Sequence, residues 1–391
     1  MRKWLWIALA LVAAAVAGFF ALAPAIVERG MNKVAPTALP QVTPETRALH
    51  ARLAIADMHV DTLLWQRNPL TRSGRGQVDL PRLIEGNVAL QIFSSVTKTP
   101  KGQNYDANPG DTDNITLLIV AQLQPPRTWD SLLQRSLWHA EKLQRAAVES
   151  KGRLRVVTTA AKLDRLLADR AAGRKVVGGM LSIEGLQDLE GRIANLDRLY
   201  AAGFRMAGLA HFFDNDVAGS MHGVAKGGLT PLGRQAVRRM ESIGMVVDIA
   251  HSSHQAVGEI LAMATRPVVS SHGGVQAVCK VNRNLTDDEI RGVARTGGVV
   301  GIGYWDGAIC STDPRKAAES IQHVRDLVGI DHVGLGSDFD GAVTTGFDTG
   351  QLVVITQALK DRGFSDDEVA KVMGGNVLRL LRAGMVARPA R

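Results

Sequence analysis

Eight short apolar runs, each followed by a polar turn and an amphipathic stretch, constrain this chain more than any other feature. They read "LAIADMH" from Leu53, "VALQIFSSV" from Val88, "VVGGMLSIE" from Val176 and "FRMAGLAH" from Phe204. The remaining four are "MVVDIAH" from Met245, "PVVSSH" from Pro267, "GVVGIGYW" from Gly298 and "HVGLGSD" from His332. Near-continuous apolar strands alternating with helical patterns describe a parallel sheet buried on both faces. Eight such units predict an α/β protein built as a (β/α)8 barrel. A doubly wound open sheet is the alternative that the same periodicity allows. The segment from about Thr97 to Lys175 is too long for one crossover, so additional helices are expected there, for example over 111–150, with one extra strand around "RLRVV".

Ahead of the first run, "WLWIALALVAAAVAGFFALAPAIV" from Trp4 to Val27 carries no charge, follows the basic start "MRK" and is long enough to cross a bilayer. Two fates fit it. One is an uncleaved signal anchor, with Arg2 and Lys3 held inside and the rest exported to face the periplasm or the cell exterior. The other is a signal peptide cut after "AVA" at 15–17, which would release a secreted form. The anchor is preferred, because the apolar run continues well past that point. Residues 28–44, with three prolines and no periodicity, read as a tether, and 45–386 as the barrel domain. The formal charge of +8 comes from scattered Lys and Arg without aromatic-basic motifs, so no nucleic-acid partner is expected. Cys279 and Cys310 have neither CxxC spacing nor an adjacent partner and are expected to be small buried side chains rather than a framework.

The polar residues gather at one end of the runs. His59 and Asp61 end the first, Glu184 the third, His211 the fourth, His251 the fifth, His272 the sixth and Asp338 the eighth. In a parallel barrel every strand points its C-terminal end to the same rim, so residues remote in sequence converge there. The alternation in "DMHVD" would aim His59 and Asp61 together at the mouth, with Asp57 one position deeper orienting a ligand. Each residue alone has a plainer reading: a hydrogen-bonded core histidine, a helix cap at Asp61, a turn aspartate at Asp338 beside Gly341. His254, past its strand end, reads as a surface residue or cap. The coincidence of four histidines and three carboxylates on the strand ends is what argues for a site.

Imidazole with carboxylate and no thiolate suits zinc, manganese, cobalt or iron. The candidates outnumber the three protein ligands of a usual mononuclear catalytic site, which predicts two ions sharing a carboxylate and a bound hydroxide. This is hydrolytic machinery. No Gly-rich phosphate loop, no G-x-S-x-G elbow and no cysteine with a base beside it competes with it.

Taken together, "DMHVDTLLW", "SIEG", "GLAHFFDND", "GLTPLGRQAVRRMESIGMVVDIAHSS", "VVSSHGG", "NRNLTDDEI", "HVGLGSDFDG" and "GGNVLRLL" resemble the membrane dipeptidases, zinc peptidases of the amidohydrolase superfamily. The resemblance runs in order from about Leu53 to Leu381. It implies a (β/α)8 barrel that hydrolyses dipeptides with two Zn2+ ions per chain. His59 and Asp61 would hold one ion, His251 and His272 the other, and Glu184 would bridge them. His211 would polarise the scissile carbonyl, Asp338 would handle the proton of the bridging water, and Arg283 would hold the substrate's terminal carboxylate. A homodimer is the assembly it implies. After His211 the chain reads "FFDNDVAGSMHG", unlike the mammalian pattern, so the pocket wall differs and the resemblance does not fix the preferred dipeptide. The C-terminal "GMVARPAR" carries no hydrophobic lipid-anchor signal, so attachment is expected through the N-terminus. The rival readings are another metal-dependent amidohydrolase, such as a lactonase or deaminase, and a non-catalytic anchored binding protein.

Overall fold

The computed structural model describes residues 2–386; the last five residues of the basic tail lie outside them. Eight parallel strands close into a barrel, each at one of the eight apolar runs: β1 (Ile55–Val60), β2 (Val88–Phe93), β3 (Val177–Glu184), β4 (Phe204–Gly208), β5 (Val246–Asp248), β6 (Val269–Ser270), β7 (Val299–Ile302) and β8 (Val333–Leu335). Pairing runs in chain order, and β8 returns to β1 through Leu335 opposite Asp57. Every residue of these strands is buried, which is why the runs lack the polar alternation of a one-sided sheet. The expected extra strand is Leu154–Val156, paired outside β3, and the long second crossover holds the helices Ile115–Ala121 and Leu132–Glu149.

Local chemistry punctuates the barrel. Thr230 caps Pro231–Ile243, Ser253 caps His254–Met263, and Thr286 with Glu289 forms a capping box on Asp287–Arg295. Each cap satisfies backbone N–H groups that a helix start would otherwise leave open. At the other end, Val246, Val269 and Val299, each the first residue of its strand, cluster with Val377, Leu378 and Leu381 of the helix Asn376–Gly384. That helix closes the barrel's N-terminal mouth and leaves only the C-terminal rim for a site.

The N-terminal helix Arg2–Met31 is long and apolar enough to cross a membrane by length and composition. The stretch that reads as a tether is instead fastened to the barrel. Glu28 is buried and accepts from Arg67 at 2.5 Å and Arg75 at 2.7 Å, and Arg67 in turn pairs with buried Asp340. Lys33–Val34 pairs in parallel with Thr344–Thr345, and the Asn32 side chain accepts from Ala342 N–H. No periodicity marks this stretch because its partners are single residues far along the chain.

The cysteines also depart from expectation: Cys279 and Cys310 form a disulfide. Their Cα atoms lie 5.4 Å apart across a sequence separation of 31. The sequence separation follows no spacing rule; proximity arises only because the loops after β6 and β7 converge at the rim.

Candidate metal centre

β3 ends on Glu184, whose Oε1 lies at the centre of the rim. Four imidazole nitrogens surround that one oxygen: His251 Nε2 at 2.9 Å, His272 Nε2 at 3.3 Å, His211 Nε2 at 3.4 Å and His59 Nε2 at 3.6 Å. His59 Nε2 is also 3.6 Å from Asp61 Oδ1 and 3.9 Å from Asp338 Oδ1. All seven residues are buried or nearly so, Asp338 being the most accessible at 8%. Three groups bring their ligand atoms within 4.8 Å of one another: His59–Glu184–His272, Glu184–His211–His251 and His59–Asp61–Asp338. Every strand-end candidate is therefore in one cluster, and His211 and Asp338 sit as close to a cation position as the residues expected to be ligands.

The charges explain one another. Burial alone would raise the Glu184 carboxyl. His211, His59 and the bonds from His251 and His272 overcome it and hold the group well below its usual range. Burial would likewise discharge His59, but Glu184 and Asp61 raise it well above an ordinary histidine. Burial pushes His251 and His272 well down, helped by Arg283, so both present neutral nitrogens. Burial drives Asp338 well up, with Asp61 and Glu184 adding like charge that cations held in the cluster would offset.

A cation fits this set. Both ring nitrogens of His59, Asp61 Oδ1, Glu184 Oε2 and the Nδ1 atoms of His211 and His251 are buried with no hydrogen-bond partner. Buried polar atoms left open cost free energy, and Asp61 Oδ1, Glu184 Oε2 and one His59 ring nitrogen offer lone pairs that a metal would satisfy. The hard and borderline donors, with no thiolate, suit zinc and its neighbours.

The backbone beneath is braced by two aspartates. The Asp57 carboxylate accepts from His59 N–H at 3.0 Å and from Ser337 N–H and Oγ–H. Asp248 accepts from Ala250 N–H at 3.0 Å and Ser271 N–H at 2.8 Å. Each ties the end of its own strand to a neighbouring one. Asp57 therefore fixes the main chain around His59. His254 heads its helix, half-exposed, and its Nδ1 lies 2.6 Å from Glu289.

Arg283 lies in the loop after β6, fully buried at the rim. One Nη–H donates to the His272 carbonyl at 3.0 Å, and the guanidinium carbon stands 5.5 Å from the Trp305 ring centre. Two neighbours were not evident from strand ends. The Tyr105 hydroxyl accepts from the Trp305 indole N–H at 3.2 Å, and the Tyr105 carbonyl accepts from His222 Nδ1–H at 3.0 Å. His222 stacks on Phe212 at 4.6 Å and stands 5.2 Å from the His251 ring, with its Nε2 unpartnered. Both residues sit in loops, where no periodic signal singles them out; the only hint at His222 was its place in the divergent stretch after His211.

A closed parallel barrel with a buried cluster of histidines and carboxylates at its C-terminal rim defines the class: a metal-dependent hydrolase. The family is equally plain. The chain belongs to the membrane dipeptidase family, peptidase family M19, whose model matches residues 43–390, and is by that membership a metallo-dipeptidase. Among curated relatives, dipeptidase aclJ of Aspergillus oryzae is 30% identical over 84% of this chain and 78% of its own length. Dipeptidase tcpJ of Claviceps purpurea is 29% identical over 85% and 74%. Among solved structures, a metallopeptidase from Rhodobacter sphaeroides bound to a phosphinate mimic of the dipeptide L-Ala-D-Ala superposes with a TM-score of 0.67 at 25% identity. That match covers 85% of this chain and 99% of the other. The probable dipeptidase PvdM from Pseudomonas aeruginosa shares the fold, with a TM-score of 0.72 at 21% identity over 87% and 98%.

Proposed function

We propose that the protein hydrolyses dipeptides at a dinuclear zinc site in which Glu184 bridges, His59 and Asp61 hold one ion, and His251 and His272 hold the other. The observation that carries this reading is a single carboxylate oxygen within 3.6 Å of four imidazole nitrogens, ringed by buried unpartnered ligand atoms. Two zinc ions there would polarise the scissile carbonyl and supply hydroxide as nucleophile near neutral pH. The chain's own residues do the rest. His211 steadies the developing oxyanion through its imidazole, Asp338 takes the proton of the attacking water on its carboxylate and returns it to the leaving amine, and Arg283 grips the terminal carboxylate. The membrane-length helix and the disulfide, a bond that persists in oxidising compartments, support an exported and anchored enzyme.

Chelation should abolish hydrolysis and zinc should restore it, read on a panel of L,L-, L,D- and D,D-dipeptides with tripeptides and N-blocked dipeptides as controls. Active purified protein holding less than about one metal per chain would overturn the dinuclear reading.

Arg283 separates a dipeptidase from a lactonase or deaminase, whose substrates need no fixed cation. A guanidinium fork matches a carboxylate's two oxygens, and hydrogen bonds to a charged group contribute roughly 1.5–3 kcal/mol. Arg283→Ala should therefore lower kcat/KM on dipeptides by about 10- to 150-fold, and much less on C-terminally amidated ones. Equal losses on both substrates would place carboxylate recognition elsewhere.

A further inference from the structure

Beside the metal cluster lies a cavity of about 530 Å³ that the dipeptidase reaction does not account for. One wall is the N-terminal helix, through Phe19, Ala23 and Val27; the facing wall is Trp65, Ile115 and Leu118. Asp61 and Gly341 also line it, so it reaches one residue of the site. The volume is that of a small-molecule pocket, far larger than one amino-acid side chain needs. Along the helix it runs from Phe19 to Met31, roughly 18 Å at 1.5 Å per residue.

Its position relative to Arg283 defines what would enter. The His59 ring stacks on His272 with centres 3.7 Å apart, and the His272 carbonyl accepts from Arg283. On its other side His59 Nε2 faces Asp61 at 3.6 Å. Arg283 and the cavity thus meet the ligand row through different residues, Arg283 through His272 and the cavity through Asp61. A substrate whose carboxylate rests on Arg283, with its amide over the cluster, directs the acyl side of that amide past Asp61 into the apolar space.

We propose that the cavity is an acyl-chain subsite, and that the enzyme also hydrolyses N-acyl amino acids carrying long apolar chains. The inference rests on the dipeptidase reading of the same site. An N-acyl amino acid keeps the two features that the rim recognises, an amide and a free carboxylate, and replaces the first residue with a hydrocarbon. Water adds to the amide carbon, the C–N bond breaks, and a fatty carboxylate and a free amino acid leave. The helix that forms one wall is the membrane-length helix, so such amphiphiles would meet the cavity where they concentrate, at the bilayer surface.

The test uses the full chain in lipid-bilayer discs, since detergent tails would compete for the cavity. Release of alanine is followed from N-acetyl-, N-octanoyl- and N-dodecanoyl-alanine, with Ala-Ala alongside. The expected result is kcat/KM rising at least about tenfold from acetyl to dodecanoyl, because each buried methylene favours binding. Ala23→Trp and Leu118→Trp, which fill the cavity from opposite walls, should lower dodecanoyl-alanine hydrolysis at least about tenfold and leave Ala-Ala unchanged. Hydrolysis of Ala-Ala with none of any acyl-alanine would overturn the subsite and leave the dipeptidase reading standing. Acyl hydrolysis that both tryptophan variants leave intact would also overturn it, assigning the space to inert bilayer lipid. Failure of the wild-type chain on Ala-Ala and acyl-alanines alike would remove the dipeptidase reading itself.

Discussion

Glu184→Gln is expected to strip both metals from the protein and lower hydrolysis by roughly 10⁴-fold or more, the order lost when a catalytic unit is dismantled. The substitution keeps the shape of the side chain and removes its charge. In the native site one carboxylate oxygen faces four imidazole nitrogens, and their combined pull is what holds Glu184 ionised despite burial. A neutral amide offers one oxygen and one NH2 group, which aims hydrogens at nitrogens meant to bind a cation. Because a metal that binds only the folded state stabilises it, zinc is expected to raise the melting temperature of the native protein and not that of the variant. Metal content by mass spectrometry reads the outcome directly. A variant that retains two ions and normal turnover would remove Glu184 from the centre of the site.

Asp338→Asn is expected to keep metal binding while kcat falls by roughly 10²–10⁴, the contribution of a positioned acid-base group. Asn copies the shape and most of the hydrogen bonding but cannot accept a proton. The location supports this role: Asp338 is the most accessible carboxylate of the cluster, 3.9 Å from His59 and facing Arg283. Substrate KM should change little, which separates proton handling from carboxylate recognition. A near wild-type rate with intact metal would return Asp338 to the status of a turn residue.

The barrel was legible because each strand is buried on both faces and so reads as a bare apolar run. The strand-end cluster was legible because parallel strands put all their C-termini at one rim, so His59, Glu184, His211, His251, His272 and Asp338 needed no distance information to be grouped. What stayed hidden shares one physical cause. The Cys279–Cys310 bond, the Glu28–Arg67–Asp340 chain, and the contact between Tyr105 and Trp305 all join residues outside the barrel strands, whose approach is fixed by the finished barrel. Asp57 meets His59 through the main chain, accepting from its N–H, a contact that residue spacing alone does not reveal.

The segment from Asp338 to Ala342 holds three non-glycine residues with left-handed backbone: Asp338 at φ 59°, Asp340 at 64° and Ala342 at 62°. His251, across the rim, is a fourth at 64°. Such conformations cost of order 1 kcal/mol or more each and persist only where the surroundings over-determine them. Two of the four, Asp338 and His251, belong to the cluster, and Asp340 ties the rim to Arg67. Selection for durability alone would have filled such positions with glycine or asparagine. The molecule therefore stores backbone strain at its rim, where substitutions that relieve it are expected to erode turnover. Directed evolution of this enzyme toward thermal endurance has little room at His251, Asp338, Asp340 and Ala342.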